Sequence, residues 1–308
     1  MSAFTERVAK SRADRAAMLA KFGIIPTSIL RLARGKASAR MFTYQKEERG
    51  RSIGMRYDGT QTREVVTDRA KESDRERAKL KMLGGGLETK KSGSRVQASI
   101  MPAELVAFFA KYYAKPGDTY LDPFIGQGVQ MQVAHELGMH YIGMDASRTF
   151  MAYVERTRDR IDDHTTTIDV RLGDSRHPTH IPDHTGDFMF TSPPYWDVEY
   201  YGDEPEQLGT NHTYDEFMTG ITDVMRAWHP KMKPGAYAII NTNDIRKDGR
   251  FIPYHADYIR ATTNAGWTMH DMWIIDGLVG GLPKAFGVAF NLKRIAPKVH
   301  EYALVFRA

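Results

Sequence analysis

Residues whose types could do chemistry gather in two stretches, TYLDPFIGQGVQMQVAHELGMHYIGMD over 119–145 and FMFTSPPYW over 188–196. In the first, Gly126 and Gly128 follow an apolar run, so the backbone can turn tightly at a strand's carboxyl end and approach a ligand closely. A dinucleotide site would want a third glycine or alanine where Met131 stands, and would not want the Asp122 carboxylate before the turn. Three acids fall at successive predicted strand ends: Asp122, Asp145 in YIGMD and Asp174 in RLGDS. Asp145 is placed to accept both hydroxyls of a ribose, and Asp174 to meet an adenine edge. Each alone has the plainer reading of a helix N-cap; together they point to a nucleotide-like cofactor.

The second stretch has different chemistry. Pro193 and Pro194 fix φ and remove two backbone donors, so TSPPYW is a stiff loop with its carbonyls turned outward. An aromatic amine is a poor nucleophile because its lone pair is delocalised. Acceptors at its protons, here Ser192 Oγ and the Pro193 carbonyl, draw that lone pair toward tetrahedral geometry. Tyr195 can stack on the base that carries the amine, which must leave a duplex to reach such a pocket. The plainer alternative is a proline-rich turn with Tyr195 and Trp196 as core aromatics.

The elements that position these residues follow from the pattern. Met101-Pro102-Ala103-Glu104 opens a helix with Leu105, Val106, Phe108, Phe109 and Tyr112 on its apolar face, ended by Pro116-Gly117. Strands are expected at 119–121, 141–145, 169–172, 187–191, 236–241, 267–275 and from 300 onward, with helices at 128–137, 147–161, 214–230 and 254–265. Such alternation implies an α/β fold, a doubly wound, mostly parallel seven-stranded sheet wrapped on both faces.

Before it lies a stretch of another character. Residues 1–100 carry 23 Lys and Arg against 11 Asp and Glu, whereas the rest of the chain is net acidic. We therefore place a boundary near residue 94, with 1–94 a basic N-terminal extension and 95–308 the main domain. A basic segment beside an acidic body suits a polyanion such as nucleic acid; its plainer reading is a solvated tail. An irregular amphipathic helix is expected over 4–20, and a second opening at Pro26-Thr27-Ser28 that carries Ile29, Leu30 and Leu32, with Arg31 and Arg34 facing DNA or solvent. Residues 67–83 read as a charged helix and the stretch through Ser94 as a linker. Cysteine is absent, which excludes disulfides, thiolate metal sites and a catalytic thiol. No run is long and apolar enough for a membrane helix and no signal peptide is recognisable, so a cytoplasmic protein is expected. His164, His177, His180 and His184 lack ligand spacing and are read as loop residues; no metal is expected.

The two motifs together resemble those of the DNA amino-methyltransferases, which methylate N4 of cytosine or N6 of adenine with S-adenosylmethionine. The likeness spans about residues 96–308. MPAELVAFFAKYYAKPGDTYLDPFIGQGV resembles the family's leading helix and glycine motif, IGMD the ribose-binding strand end, LGDS the adenine-binding one, TSPPYW the catalytic motif and KVHEYALVF the closing strand. The resemblance implies a class I, Rossmann-like methyltransferase fold. It implies that Asp122, Pro123, Phe124, Gly126, Gly128, Asp145, Asp174 and Thr191 hold the cofactor, and that Ser192, Pro193, Pro194 and Tyr195 catalyse. The expected partner is double-stranded DNA. Serine at 192 slightly favours N4 of cytosine. The bare amine chemistry also leaves open an RNA base or a protein glutamine as acceptor, a fold that binds DNA without catalysis, or transfer of another group.

Residues 175–190 alone separate LGDS from TSPPYW, leaving no room there for a large target-recognition domain. Sequence reading is therefore expected from residues 1–95, Arg31 and Arg34 among them, from Trp196 and the insert 197–213, or from the glycine-rich loop 277–299, or else to be slight. In that loop Lys284, Lys293, Arg294 and Lys298 could clamp phosphates while Phe286 and Phe290 fill the space of a flipped base; a flexible substrate lid is its plainer reading. This compact layout with a basic extension also resembles methylases of bacterial viruses.

Overall fold

A computed structural model of the chain describes residues 29–30, 101–198, 201, 204–209, 213–276 and 300–308. In chain order the elements are β1 (Ile29–Leu30), α1 (Ala103–Tyr113), β2 (Thr119–Asp122), α2 (Val129–Glu136), β3 (His140–Asp145) and α3 (Arg148–Ile161), then β4 (Ile168–Leu172) and β5 (Gly186–Thr191). There follow α4 (Tyr214–Trp228), β6 (Met232–Thr242), β7 (Ile245–Lys247), β8 (Arg250–Ile252), α5 (Tyr254–Asn264), β9 (Thr268–Asp276) and β10 (His300–Arg307).

The main sheet runs β1-β9-β10-β6-β5-β2-β3-β4. Pairs among β2, β3, β4, β5 and β6 are parallel, and β10 is antiparallel to both β6 and β9. This is the expected doubly wound sheet of seven strands, extended by the two-residue β1. Ile29 and Leu30, expected in a helix, instead pair in parallel with Ile274 and Ile275 of β9. The correction has a physical reason: β9 is otherwise an unpaired edge, and β-branched Ile29 suits a strand that covers it. The other expected features of the extension, including Arg31 and Arg34, lie outside the described residues, as do 277–299.

Side-chain alternation along the strands divides the core into two layers. Tyr120, Phe188, Phe190, Ile239, Ala303 and Val305 face α1, α2 and α3. Their neighbours Leu121, Met189, Ala238, Ile240, Leu304 and Phe306 face α4 and α5. Strands buried on both faces must be continuously apolar, as FMF and AII are. On the first face Phe108 and Phe109 set their rings edge-on to Trp273, with centroids 5.7 Å apart in each case, and Trp273 Nε1 donates to Tyr113 Oη at 3.1 Å. On the second, Trp228 and Trp267 are buried and donate to the Ser175 and Met225 carbonyls. Chain order reverses between β2 and β5, opening a crevice at the strands' carboxyl ends.

Candidate active site

A cleft with a cavity volume of about 150 Å³ sits at that crevice. Phe124, Gly126, Asp145, Asp174, Ser192, Pro193, Pro194 and Tyr195, all singled out in the sequence, line it. One wall is the turn after β2. Gly126 and Gly128 have φ of +53° and +74°, the left-handed region in which a side chain is strained, and a Cβ on Gly128 would lie 3.2 Å from Val154 Cγ2.

Asp145 joins this turn to β3. One carboxylate oxygen accepts from Gly126 N and the other from Ser147 N, both at 2.8 Å. Burial pushes its pKa up to about 6, against the lowering effect of those two donors. Each oxygen keeps a lone pair for a ligand hydroxyl, and the carboxylate lines the cleft. Asp174 is gripped by Arg176, whose guanidinium donates to both of its oxygens at 2.7–3.0 Å. Burial alone would raise its pKa, but the Arg176 bonds outweigh it and hold the carboxyl below the usual range.

Asp122 occupies a different place. It is fully buried behind the turn and accepts from Thr191 Oγ1 at 2.8 Å, Tyr141 Oη at 2.9 Å and Phe124 N at 3.1 Å. It fastens the end of β2 to β3, to β5 and to its own turn. Burial raises its pKa to about 6. Pro123, Gly128 and Thr191 likewise lie outside the cleft lining: the Pro123 carbonyl accepts from Ser175 Oγ, Gly128 caps α2 and Thr191 holds Asp122.

The opposite wall is the TSPPYW loop, which leaves β5 at Thr191. Ser192 Oγ has no hydrogen-bond partner among the described residues. The Tyr195 ring stacks on Tyr254 at 5.8 Å, Tyr254 on Tyr214 at 6.0 Å and Tyr214 on Phe217 at 6.3 Å, an aromatic column that carries the loop on α4 and α5. Tyr254 Oη also accepts from Trp196 N at 2.8 Å, and Tyr258 Oη donates to the Pro194 carbonyl at 3.4 Å. Trp196 does not line the cleft; it packs edge-on against Tyr214 and lies under Lys247 Nζ at 5.1 Å. Lys284, Lys293, Arg294 and Lys298 lie outside the described residues.

Several cleft residues escaped the sequence reading, Asn241 and Glu301 among them. Asn241, at the end of β6, is buried, and its Nδ2 donates to Glu301 Oε2 at 2.8 Å. That bond fixes the amide so that Oδ1, which has no partner among the described residues, remains an acceptor. Both residues line the cleft. The spatial order of strands puts Asp145 on the β2–β3 side and Asn241 and Glu301 on the β6–β10 side, with Ser192 between. The cleft thus has the Asp145 carboxylate toward one end and the Asn241 amide oxygen toward the other. Their one sequence signal was polar residues interrupting the apolar ends of β6 and β10.

The histidine reading is mixed: His164, His177 and His184 are exposed, whereas His180 is partly buried. Among the described residues no group of three or more His, Asp or Glu side chains could hold a metal ion, and no helix is long and apolar enough to cross a membrane.

Residues 31–156 match a family model described as DNA methylase, of the N6/N4 methyltransferase kind. The matched stretch includes the glycine turn and Asp145 and ends before Asp174 and TSPPYW. Among solved structures the chain is similar to TrmN from Thermus thermophilus, at 16% identity and a TM-score of 0.46 over 67% of this chain and 49% of that one. It thus spans about half the length of that protein. It is also similar to a putative sarcosine dimethylglycine methyltransferase from Galdieria sulphuraria, at 14% identity and a TM-score of 0.46 over 76% of this chain and 98% of that one. A third likeness is to the [4+2]-cyclase SpnF, at 16% identity and a TM-score of 0.47 over 72% of this chain and 86% of that one.

Proposed function

We propose that this chain, which matches the DNA methylase family over residues 31–156, is a DNA amino-methyltransferase that methylates an exocyclic amine in double-stranded DNA, with N4 of cytosine favoured over N6 of adenine. The observation that carries the reading is the meeting, in one cleft, of Asp145 at one end with Ser192, Pro193 and Tyr195 at the other.

The cleft fits S-adenosylmethionine on the chemistry of its donor and acceptor set. Asp145 offers two acceptor oxygens for ribose hydroxyls, Asp174 one for an adenine amine, and the turn at Gly126 brings backbone close without a side chain. When bound, the cofactor supplies an electrophilic methyl group on a sulfonium. Ser192 Oγ and the Pro193 carbonyl accept the amine's protons and turn its lone pair toward attack, while Tyr195, held on Tyr254, stacks on the everted base. Asn241 Oδ1, fixed by Glu301, adds an acceptor at the same end. The amine attacks directly, these acceptors hold its N–H bonds, and the proton made acidic by methylation passes to water, so no covalent enzyme intermediate is needed. Absence of cysteine agrees with this, since attack through carbon 5 of cytosine requires a thiolate. Serine at 192, the form of the motif that the family resemblance associates with N4-cytosine enzymes, supports N4 of cytosine, and the work would be done in the cytoplasm.

The test is incubation of the full chain with methyl-labelled S-adenosylmethionine and unmodified duplex DNA, followed by nucleoside digestion and mass spectrometry. N4-methylcytosine is the expected product. N6-methyladenine would reverse the base preference, and label in RNA or protein alone would refute the DNA reading.

A further inference from the structure

Between β6 and α5 the chain makes a hairpin absent from the sequence reading. Its strands β7 and β8 pair Ile245 with Ile252, Arg246 with Phe251 and Lys247 with Arg250. The turn is Asp248-Gly249 with φ of +50° and +78°, the two-residue arrangement whose twist matches paired strands. Ile245 and Ile252 pack on the α4–α5 core, which roots the base of the hairpin.

The outer end is built differently. Arg246, Lys247 and Arg250 face a single nearby acid in the hairpin, Asp248. Arg246 lies over the ring of Phe251, 5.2 Å from its centroid, and Phe251 is 46% exposed, among the few large apolar side chains left in solvent. Arg246 and Arg250 are exposed and make no ion pair among the described residues. Lys247 does: its Nζ donates to the Asp197 carboxylate and, at 2.9 Å, to the Asp197 carbonyl, and it lies over Trp196. One leg of the hairpin is therefore tied to the loop that follows Tyr195, and the two unpaired arginines belong to the same hairpin.

We propose that this hairpin is a phosphate-contacting arm for duplex DNA, with Arg246 and Arg250 on the backbone next to the everted base and Phe251 against the adjoining sugar or base edge. This rests on the DNA reading above. An exposed ring under a guanidinium, flanked by a second unpaired guanidinium, matches the mixed charge and apolar surface of a nucleotide strand better than a protein surface. Lys247 couples the arm to the catalytic loop, so that seating of the backbone orients Tyr195.

The test is fluorescence anisotropy of a short labelled duplex with the full chain, the double variant Arg246→Gln/Arg250→Gln, its Arg246→Lys/Arg250→Lys counterpart, and Lys111→Gln on α1 as a charge control. Two lost phosphate contacts should lower the slope of log affinity against log salt by about 1.8. Between 50 and 200 mM salt the unaltered protein should then lose about 12-fold more affinity than the Gln variant. The Lys variant and Lys111→Gln should keep the steep slope, and all four proteins should bind S-adenosylmethionine equally by calorimetry. An unchanged slope in the Gln variant, with the unaltered protein binding DNA, would overturn the arm and leave the DNA reading standing. If the unaltered protein bound no duplex at all, or single-stranded RNA in its place, the DNA reading itself would fall.

Discussion

Replacing Asp122 by Asn should make the protein more stable at neutral pH and less stable in acid. Asp122 is a fully buried carboxylate with three donors and no cation beside it. Burial raises its pKa from 3.8 to about 6. A raised folded pKa means that the native state prefers the protonated acid, so this group's contribution is fully present below about 3.8 and is lost as pH rises through about 6. At about 1.4 kcal/mol for each pH unit separating the two values, ionisation costs the folded state about 3 kcal/mol above that range. Asn keeps one oxygen for Thr191 and Phe124 N, and meets Tyr141 with an amide donor, so the Tyr141 hydroxyl must turn to accept. We set about 1 kcal/mol against that change. Urea unfolding should therefore find Asp122→Asn about 2 kcal/mol more stable than the parent near pH 8, and about 1 kcal/mol less stable near pH 3. Because Asp122 stands behind the cleft wall, cofactor affinity should change by no more than a few-fold. A stability difference that is the same at both pH values would refute the argument, since it would mean that the carboxylate is not held near its protonated form.

Three further outcomes follow from the site. Ser192→Ala should reduce methyl transfer by about 100-fold or more while calorimetry finds cofactor binding unchanged, because the lost acceptor acts on the attacking amine. Affinity for S-adenosylmethionine should be level above the Asp145 pKa of about 6 and weaken by up to about tenfold per pH unit below it, as the acceptor carboxylate is protonated. Asp145→Asn should abolish that pH dependence. Asn241→Ala should depress turnover and leave cofactor affinity intact; equal losses in both would place Asn241 on the cofactor instead.

What the sequence disclosed was governed by distance along the chain. Strands such as FMF and AII announce themselves because burial on both faces demands an unbroken apolar run, and the turn at Gly126 because glycine takes its positive φ without strain. Asp122 and Asp145 looked alike, each an acid at a strand's end, yet one faces the cleft and the other is buried behind it. The direction of a side chain at a strand terminus depends on packing that no local pattern encodes. The Asn241–Glu301 pair was hidden for another reason: its members are 60 residues apart and meet only because β10 lies against β6. The β7–β8 hairpin did have a local signal, Asp-Gly between IRK and RFI, but strands of three residues are too short for alternation to register. At Ile29 and Leu30 a helix-start pattern was overridden by an open sheet edge.

The placement of β10 between β6 and β9 also dictates a timetable. The ribosome releases β2 to β6 in an order that lets each parallel pair form as its second strand emerges, but β9 cannot join the sheet until β10 has been made. Until then β6 presents an open edge, and the carboxylate that orients Asn241 is missing from the pocket. A nascent chain could thus assemble the Asp145 half of the cleft well before the half that carries Asn241 and Glu301. Pairing between strands so far apart in sequence is slow, and the waiting edge of β6 is a natural target for chaperones during synthesis.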